Sequence, residues 1–530
     1  MRITNNIILH NTSININGNK GNVDTLNNQM TSQKKIQRPS DDPVTAIRAL
    51  RLRSTLSEID QYYEKNIPDA ESWLDVTETA ITSMQEVIKT IRTQCEYGAQ
   101  DSLTTDNRKT ILTQLEKLRD KVYSGNADYA GRTVFTGYRT NKKLTFTEDE
   151  QKTSYEIDQK MSYADLQEHR YYGNDVTVPG NKADVLDGTK IASPTQAAYN
   201  RIRLGYDSID SLDVTDAAGT TTKTSANGST VTISYNYTDT TGTTPVNKTG
   251  NMNVTVYDSY DKWLEASTKT PKSYDIADGE AVLIRNTGEM VFSKTAADTL
   301  STNKASLDIS YTKTGFTNGE LRPEYYYNCT NITDTNNKLK YEKYDKDGNQ
   351  IYQDIDYVVA ANQTLTVNTE ASNVFDHGLS RDVDELIDAV QRSLDAEQKV
   401  TDLNAMKKMQ EYSSDDCQAK LEEWIAAAEK ERDYANDNMQ KLYNSYIGNC
   451  DTYLQKVNLA LTDVGSKGQS LALTKNRMSN EQETMEELKS KNEDRELSDI
   501  ILEYTAAYTA YQSSLQAASK VNQVTLLSYL

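Results

Sequence analysis

The residue types that most often do chemistry are few in this chain and stand apart from one another. No two of its four cysteines, Cys95, Cys329, Cys417 and Cys450, sit at metal or redox spacing, so they read as four unpaired thiols. His10, His169 and His377 are equally isolated, which leaves no histidine-rich metal site and little for a nucleophile–base pair. Asp345-Lys346-Asp347-Gly348 begins like a calcium loop. It lacks the third Asp or Asn before the glycine and the Glu at the twelfth position, and its flanks read as strands, so a hairpin turn is the better reading. Asn-x-Thr triplets such as Asn236-Tyr237-Thr238 and Asn331-Ile332-Thr333 follow from an Asn- and Thr-rich composition. Glu422-Glu423 and Glu486-Glu487 read as solvated helix faces. There is no P-loop, dinucleotide fingerprint, nucleophile elbow or His-Glu-x-x-His. The expectation is therefore no catalytic residue, no metal and no cofactor.

One charged segment stands out. In Arg38-Pro39-Ser40-Asp41-Asp42-Pro43, Ser40 can cap a helix, Pro43 suits a first helical turn, and Asp41 and Asp42 favour the positive end of the helix dipole. Arg48, Arg51 and Arg53 follow. The segment reads as a rigid bend feeding a long helix, either an internal turn or an exposed elbow that docks on a neighbouring subunit.

The elements around that bend are long helices. From Leu52 the apolar positions run Leu56, Ile59, Tyr63, Ile67, Ala70, Leu74, Thr77, Ile81, Met84, Ile88, Ile91 and Cys95, in alternating steps of four and three with one extra four at Ile67. At about 1.5 Å per residue this helix would span roughly 65 Å, with Pro68 placed to kink it at the stutter. A second helix, capped by Thr105 or Asp106, carries Ile111, Leu115, Leu118 and Val122 and stops at Ser124-Gly125-Asn126.

The C-terminal end repeats the pattern. Leu497, Ile501, Tyr504, Tyr508, Tyr511, Leu515 and Ala518 form one stripe, and Leu461, Val464, Leu471, Met478, Met485 and Leu488 another. Without basic residues around them, the tyrosines read as a helical seam rather than a base-stacking platform. Between Leu379 and Ala460 lie further helical stripes, Leu386/Val390/Leu394 and Leu421/Trp424/Ile425. Neither end has an apolar partner of its own, so the two ends pack on each other.

The middle, 141–376, turns to Thr, Asn, Tyr, Asp and Gly. Alternation at Val231, Ile233, Tyr235 and Tyr237 and at Met252, Val254 and Val256 predicts strands. Hairpins are predicted across Asn286-Thr287-Gly288-Glu289 and across Asp347-Gly348-Asn349. Part of 213–250 is expected to be a mobile loop.

The fold class expected is thus α+β and multidomain: a discontinuous coiled-coil rod of long helices from both termini, with an inserted β-rich region in one or two lobes. The divisions are an assembly segment over 1–45, the N-terminal half of the rod over 46–140, the β-rich insertion over 141–376, an additional helical segment over 377–455 and the C-terminal half over 456–530.

The totals fit such a chain. Of 530 residues, 58 are Lys or Arg and 78 Asp or Glu, a net charge of −20, which argues against nucleic acid and anionic membrane surfaces as partners. The apolar fraction of 36% lies below the usual range of about 45–50%, which also counts Gly, and predicts thin cores. No apolar run reaches the roughly 20 residues of a membrane span, and Ile7-Ile8-Leu9 is too short for a signal-peptide core.

Pro39-Ser40-Asp41-Asp42-Pro43-Val44 with Ala46 and Arg48-Ala49-Leu50-Arg51-Leu52 resembles the N-terminal signature of the flagellar hook-associated protein 3 family, the hook–filament junction branch of the bacterial flagellins. Met1-Arg2-Ile3-Thr4, Trp73-Leu74 before Thr77-Glu78, and the ending Tyr511-Gln512-Ser513-Ser514-Leu515-Gln516-Ala517 with Ser528-Tyr529-Leu530 are similar too. Gly131-Arg132-Thr133-Val134-Phe135-Thr136-Gly137 resembles the family segment leaving the helical core, and Asn373-Val374-Phe375 the point of return. Filament flagellins share the plan but read more like Ala-Ala-Asp-Asp-Ala-Ala-Gly after the first helix. The long β-rich middle and the helical segment near 379–455 depart from the compact family pattern.

The resemblance implies an extracellular place in the flagellum, at the hook–filament junction, reached by type III export without a cleaved signal peptide. It implies four partners: further copies of the chain, the proximal hook-associated protein, flagellin and an export chaperone. The chaperone would cover the last helix at Tyr511, Leu515 and Ala518. The sparse stripes Ile3, Ile7, Ile14, Val23, Leu26 and Met30, and Leu515, Val521, Val524, Leu527 and Leu530, are the expected assembly interface, disordered in the free subunit and helical once assembled. A reading from a different class remains, an adhesin or carbohydrate-binding module whose tyrosine-rich sheet stacks sugars.

Overall fold

The computed structural model describes residues 5–523 apart from 101–102, 124–126, 216–219 and 240–244. The helices are α1 (Asn5–Ser32), α2 (Pro43–Asp60), α3 (Ile67–Gly98), α4 (Thr105–Arg119), α5 (Lys182–Leu186), α6 (Tyr260–Glu265), α7 (Lys294–Thr302), α8 (His377–Lys407), α9 (Asp415–Glu493) and α10 (Leu497–Gln523). The expected helical ends and sheet-rich middle are both present. The boundary expected at 455–456 falls inside α9, and Ser124-Gly125-Asn126 lies outside the described residues.

The chain divides into two compact units. One is built from 1–71, 356–366 and 467–530, and the other from 72–355 and 367–466.

In the first unit α1 packs along α10. The C-terminal turns of α9 are tied to α2, where Gln482 Nε2 donates to Asp60 at 2.7 Å and Asn492 Nδ2 to the Thr45 carbonyl at 3.2 Å. Residues 61–66 form a turn of π-helix between α2 and α3, with the Ile67 N–H bonded to the Tyr62 carbonyl. This is where the sequence shows its stutter. Pro68 has no N–H to give, and the wider turn absorbs the extra residue without breaking the helical path. The strands β15 (Asp356–Ala360) and β16 (Gln363–Thr366) form a hairpin in this unit, held where Asn66 Nδ2 donates to the Val358 carbonyl at 2.8 Å.

The second unit holds the remaining strands: β1 (Asp128–Tyr129), β2 (Arg132–Thr133), β3 (Ser154–Ser162), β4 (Gln167–Gly173), β5 (Thr195–Arg203), β6 (Ser211–Thr215), β7 (Thr221–Thr224), β8 (Ser229–Asp239), β9 (Val246–Tyr257), β10 (Ala281–Ile284), β11 (Glu289–Phe292), β12 (Ser306–Thr314), β13 (Asn328–Asn331) and β14 (Leu339–Tyr341). β1 and β2 form a small hairpin, and the other twelve join one sheet whose main path runs β14-β13-β3-β12-β8-β9-β10-β11-β5-β4. β9 and β10 pair parallel, with α6 in the crossover, and the remaining pairs are antiparallel.

The β10–β11 hairpin turns where the sequence placed it. Asp345 accepts the backbone N–H of Asp347 and Asn349 at 2.9 and 2.8 Å, so the calcium-like segment is a turn that uses its own carboxylate. In the Thr-rich stretch 213–250, part of which is expected to be a mobile loop, 216–219 and 240–244 lie outside the described residues, and most of the rest is strand, with Ile233 in the core. The exit and return of the β-rich region meet: the Phe135 and Phe375 rings lie edge to face at 4.9 Å, and the Ala371 N–H donates to the Phe135 carbonyl at 2.9 Å.

Candidate assembly surface

The bend at Pro39–Pro43 is set by carboxylates. Asp42, not Ser40, caps α2: its Oδ1 accepts the N–H of Val44 and Thr45 at 3.0 and 3.2 Å, and Thr45 Oγ1 donates to Oδ2 at 2.6 Å. Ser40 loses to it because Pro43 then falls at the first helical position, where its missing N–H costs nothing. The Thr45 hydroxyl and N–H hold the Asp42 carboxyl below its usual range. Asp41 accepts from the N–H of Gln37 and Arg38 at 3.2 and 2.9 Å and closes the turn. Pro39, Ser40, Arg48 and Arg51 are exposed.

The residue that anchors this bend is Arg53. Its fork meets Glu493 with two hydrogen bonds, Nε to Oε1 at 2.7 Å and one terminal nitrogen to Oε2 at 2.6 Å. The Glu493 side chain is only 3% exposed, and Lys34 adds a second cation at 3.6 Å. Arg53, then Lys34, hold this carboxyl below its usual range. Two backbone bonds complete the knot, Lys35 N–H to the Glu493 carbonyl at 2.7 Å and Arg495 N–H to the Gln33 carbonyl at 3.0 Å.

On α1 and α10 the half-buried positions repeat in fours and threes. They are Thr12, Ile16, Asn19, Val23, Leu26 and Met30, with Gln29 beside the last, on one helix, and Tyr504, Ala507, Tyr511, Ser514 and Ala518 after buried Ile500 on the other. Val23, Leu26 and Met30 thus lie on the half-buried face of α1, with Ile16 upstream of them. A second set of apolar residues stays outside. Ile7 and Ile14, seven residues apart, are 51% and 54% exposed. Ile501, Tyr508 and Leu515, each seven apart, are similarly exposed, as is Leu502. Leu488, read from the sequence as part of an inward stripe, is exposed too. On α2, Val44, Ile47 and Leu50 face outward while Ala46, Ala49, Leu56 and Ile59 face in. Ile3, Val524, Leu527 and Leu530 lie outside the described residues, and so does the side chain of Val521.

The second unit concentrates charge rather than apolar surface. Arg201 on β5 binds Glu385 of α8 at 2.7 Å and Glu289 of β11 at 3.0 Å, and Arg203 binds Asp382 and Glu385. Tyr453 and Asn449 of α9 donate to Asp382, each at 2.9 Å. His169 Nδ1 lies 3.5 Å from Glu385. A cleft of about 420 Å³ opens beside this network. The charges at its inner wall are already matched to each other, so the network's work is to hold sheet to helices. Sequence reading missed it because Arg, Glu and Asp in a polar stretch look solvated. Of the tyrosines in the large sheet, Tyr155, Tyr171, Tyr172 and Tyr311 are buried, and Tyr199, Tyr235, Tyr237, Tyr257 and Tyr341 are half-buried. Among the described residues no three His, Cys, Asp or Glu are grouped to hold a metal, and no helix is long and apolar enough to cross a membrane.

Residues 3–140 match the bacterial flagellin N-terminal helical region. The chain is 28% identical over 117 residues to flagellar hook-associated protein 3 of Salmonella typhimurium, covering 22% of this chain and 37% of that protein. It is 30% identical over 132 residues to flagellar hook-associated protein 3 of Escherichia coli, covering 23% and 39%. The match thus spans less than two fifths of these relatives' length. A solved structure of flagellar hook-associated protein 3 from Legionella pneumophila aligns over 83% of this chain and 97% of that one, at 12% identity and a TM-score of 0.30. The N-terminal quarter of the chain is similar to the bacterial flagellin N-terminal helical region, and the resemblance to flagellar hook-associated protein 3 seen at Pro39–Leu52 is shown by its relatives.

Proposed function

We propose that the chain is a non-enzymatic structural subunit of the bacterial flagellum that joins hook to filament by self-assembly. The observation that carries this reading is the pairing of α1 with α10. Their half-buried seam mixes apolar Ile16, Val23, Leu26 and Met30 with polar Thr12, Asn19 and Ser514, while Ile7, Ile14, Ile501, Tyr508 and Leu515 repeat outside it every seven residues. A second apolar row at that spacing is a surface for another helix. Copies of the same chain supply that helix head to tail, and such heterologous contacts build a tubular array. The exposed elbow with Arg48 and Arg51 is the docking point for the neighbouring subunit.

The same rows serve the other partners. The proximal hook-associated protein and flagellin cap the two ends of the ring, and an export chaperone covers Tyr511, Leu515 and Ala518 before the chain leaves by the flagellar type III route. The helices α1 and α10 gain amide protection on assembly. The test is an Ile501→Asp/Leu515→Asp double variant, followed by circular dichroism and sedimentation. The expected result is an unchanged helical spectrum with assembly lost. Assembly at the ordinary rate would contradict the reading.

A further inference from the structure

The four cysteines are free thiols and all are buried. Cys95 on α3 and Cys450 on α9, 0% and 1% exposed, lie beside each other in the seam between these two helices. Independent contacts hold the helices together around them. Arg92 Nε donates to Asp451 at 2.7 Å, and Gln85 donates to Asn458. On the other side Gly98 lets α9 come close, because a Cβ there would fall 2.4 Å from the Tyr443 ring. Cys329 sits in the core of the sheet and Cys417 in a separate cluster with Leu421 and Trp424, so neither competes for this pair.

We propose that Cys95 and Cys450 form a disulfide when the chain meets an oxidising environment, tying α3 covalently to α9. The oxidant is a low-molecular-weight disulfide. One cysteine thiolate attacks a sulfur of that disulfide, giving a mixed disulfide and releasing one small thiolate. The second cysteine thiolate attacks the protein-bound sulfur, the Cys95–Cys450 bond forms, and a second small thiolate leaves. The two protein thiols lose two protons and two electrons, and the oxidant leaves as two small thiols. In the closed seam the neighbouring Cys450 thiol, and after it burial, push Cys95 well above its usual range, which slows the attack. The bond therefore forms as the helices close, before the seam is sealed, and the dry seam then shields it from reductant.

The pairing is a property of the chain itself; only its use, locking the subunit after it has left the reducing cytoplasm, rests on the flagellar reading. The test refolds the full chain from denaturant in a mixture of reduced and oxidised glutathione, or in reductant alone. Alkylation under denaturing conditions and intact mass then count the thiols. The expected result is two of the four thiols lost in the glutathione mixture, none lost in reductant, and a proteolytic cross-link joining the Cys95 and Cys450 peptides. The oxidised chain should keep the helical spectrum of the reduced one and unfold at a higher temperature. Four alkylated thiols after oxidative refolding, a cross-link through Cys329 or Cys417, or an oxidised chain that has lost its helical spectrum would overturn the proposal.

Discussion

Arg53 and Glu493, 440 residues apart in sequence, meet as a two-pronged pair in which a half-exposed guanidinium satisfies a buried carboxylate. The asymmetry predicts unequal losses. Arg53→Ala leaves the carboxylate with Lys34 alone, 3.6 Å away, and should cost about 1–2 kcal/mol, less than a fully buried pair because the arginine is partly screened by water. Glu493→Gln frees the arginine into solvent and should cost less. Arg53→Lys should not restore the full value, since one ammonium cannot make the fork. Thermal unfolding of the three variants measures the order. Because Arg53 depresses the Glu493 carboxyl, its contribution is full above pH 4.5 and is lost as the pH falls through the folded value.

Two buried histidines predict acid sensitivity in the second unit. Burial, and after it Arg201, pushes His169 down to about 4, against the opposing pull of Glu385 and Glu289. Burial brings His377 down to about 3, with Asp376 opposing and Lys456 and Arg381 adding to it; its Nε2 also shares a hydrogen bond with Tyr206. Both are neutral in the folded chain above these values, while in the unfolded chain they take up protons below about 6.5. Their contribution is therefore complete above pH 6.5 and declines as the pH falls toward 4 for His169 and 3 for His377. The slope is about 1.4 kcal/mol per pH unit for each histidine. Glu320 and Glu324, raised by burial, act in the opposite sense, so the clean readout is a difference. His377→Gln should flatten the stability profile between pH 6 and about 4 relative to the parent chain; an unchanged slope contradicts the assignment.

Phe375 closes the junction where the β-rich region leaves and rejoins the helices, packed edge to face on Phe135 and Tyr123. Phe375→Ala should cost about 3–5 kcal/mol. Limited proteolysis should then cut first near 127–142 and 367–376, whereas an unaltered cleavage pattern would show that the rings do not secure the junction.

Gly98→Ala tests the close approach of α3 and α9. Helix propensity favours alanine by about 1 kcal/mol, but the added Cβ would meet the buried Tyr443 ring at 2.4 Å. Crowding of that kind costs about 1–3 kcal/mol, so the net effect should be destabilising. A Gly98→Ala/Tyr443→Leu double variant should recover part of the loss, and thermal melts of the single and double variants decide it.

Much of the helical architecture was legible because a stripe in threes and fours has one physical use. Each residue from Leu56 to Cys95 on that stripe is buried except half-buried Tyr63, and the extra step at Ile67 coincides with the π-turn. Periodicity says less at the ends. On α1, Ile14 and Ile16 stand two positions apart, and it takes the structure to show Ile16 half-buried and Ile14 exposed. The cap at Thr104 rather than Thr105 or Asp106, like that at Asp42 rather than Ser40, depends on which oxygen reaches which N–H. The nearness of Cys95 to Cys450 and the Arg201–Glu385 pair were beyond reach, since neither leaves a local pattern.

The central claim is best tested by immunogold electron microscopy of flagella from the parent bacterium, with an antibody against the β-rich region over 141–376. A band of label between hook and filament is the result a junction subunit predicts. Label along the whole filament would make the chain a flagellin, and intact flagella without label would contradict the account altogether.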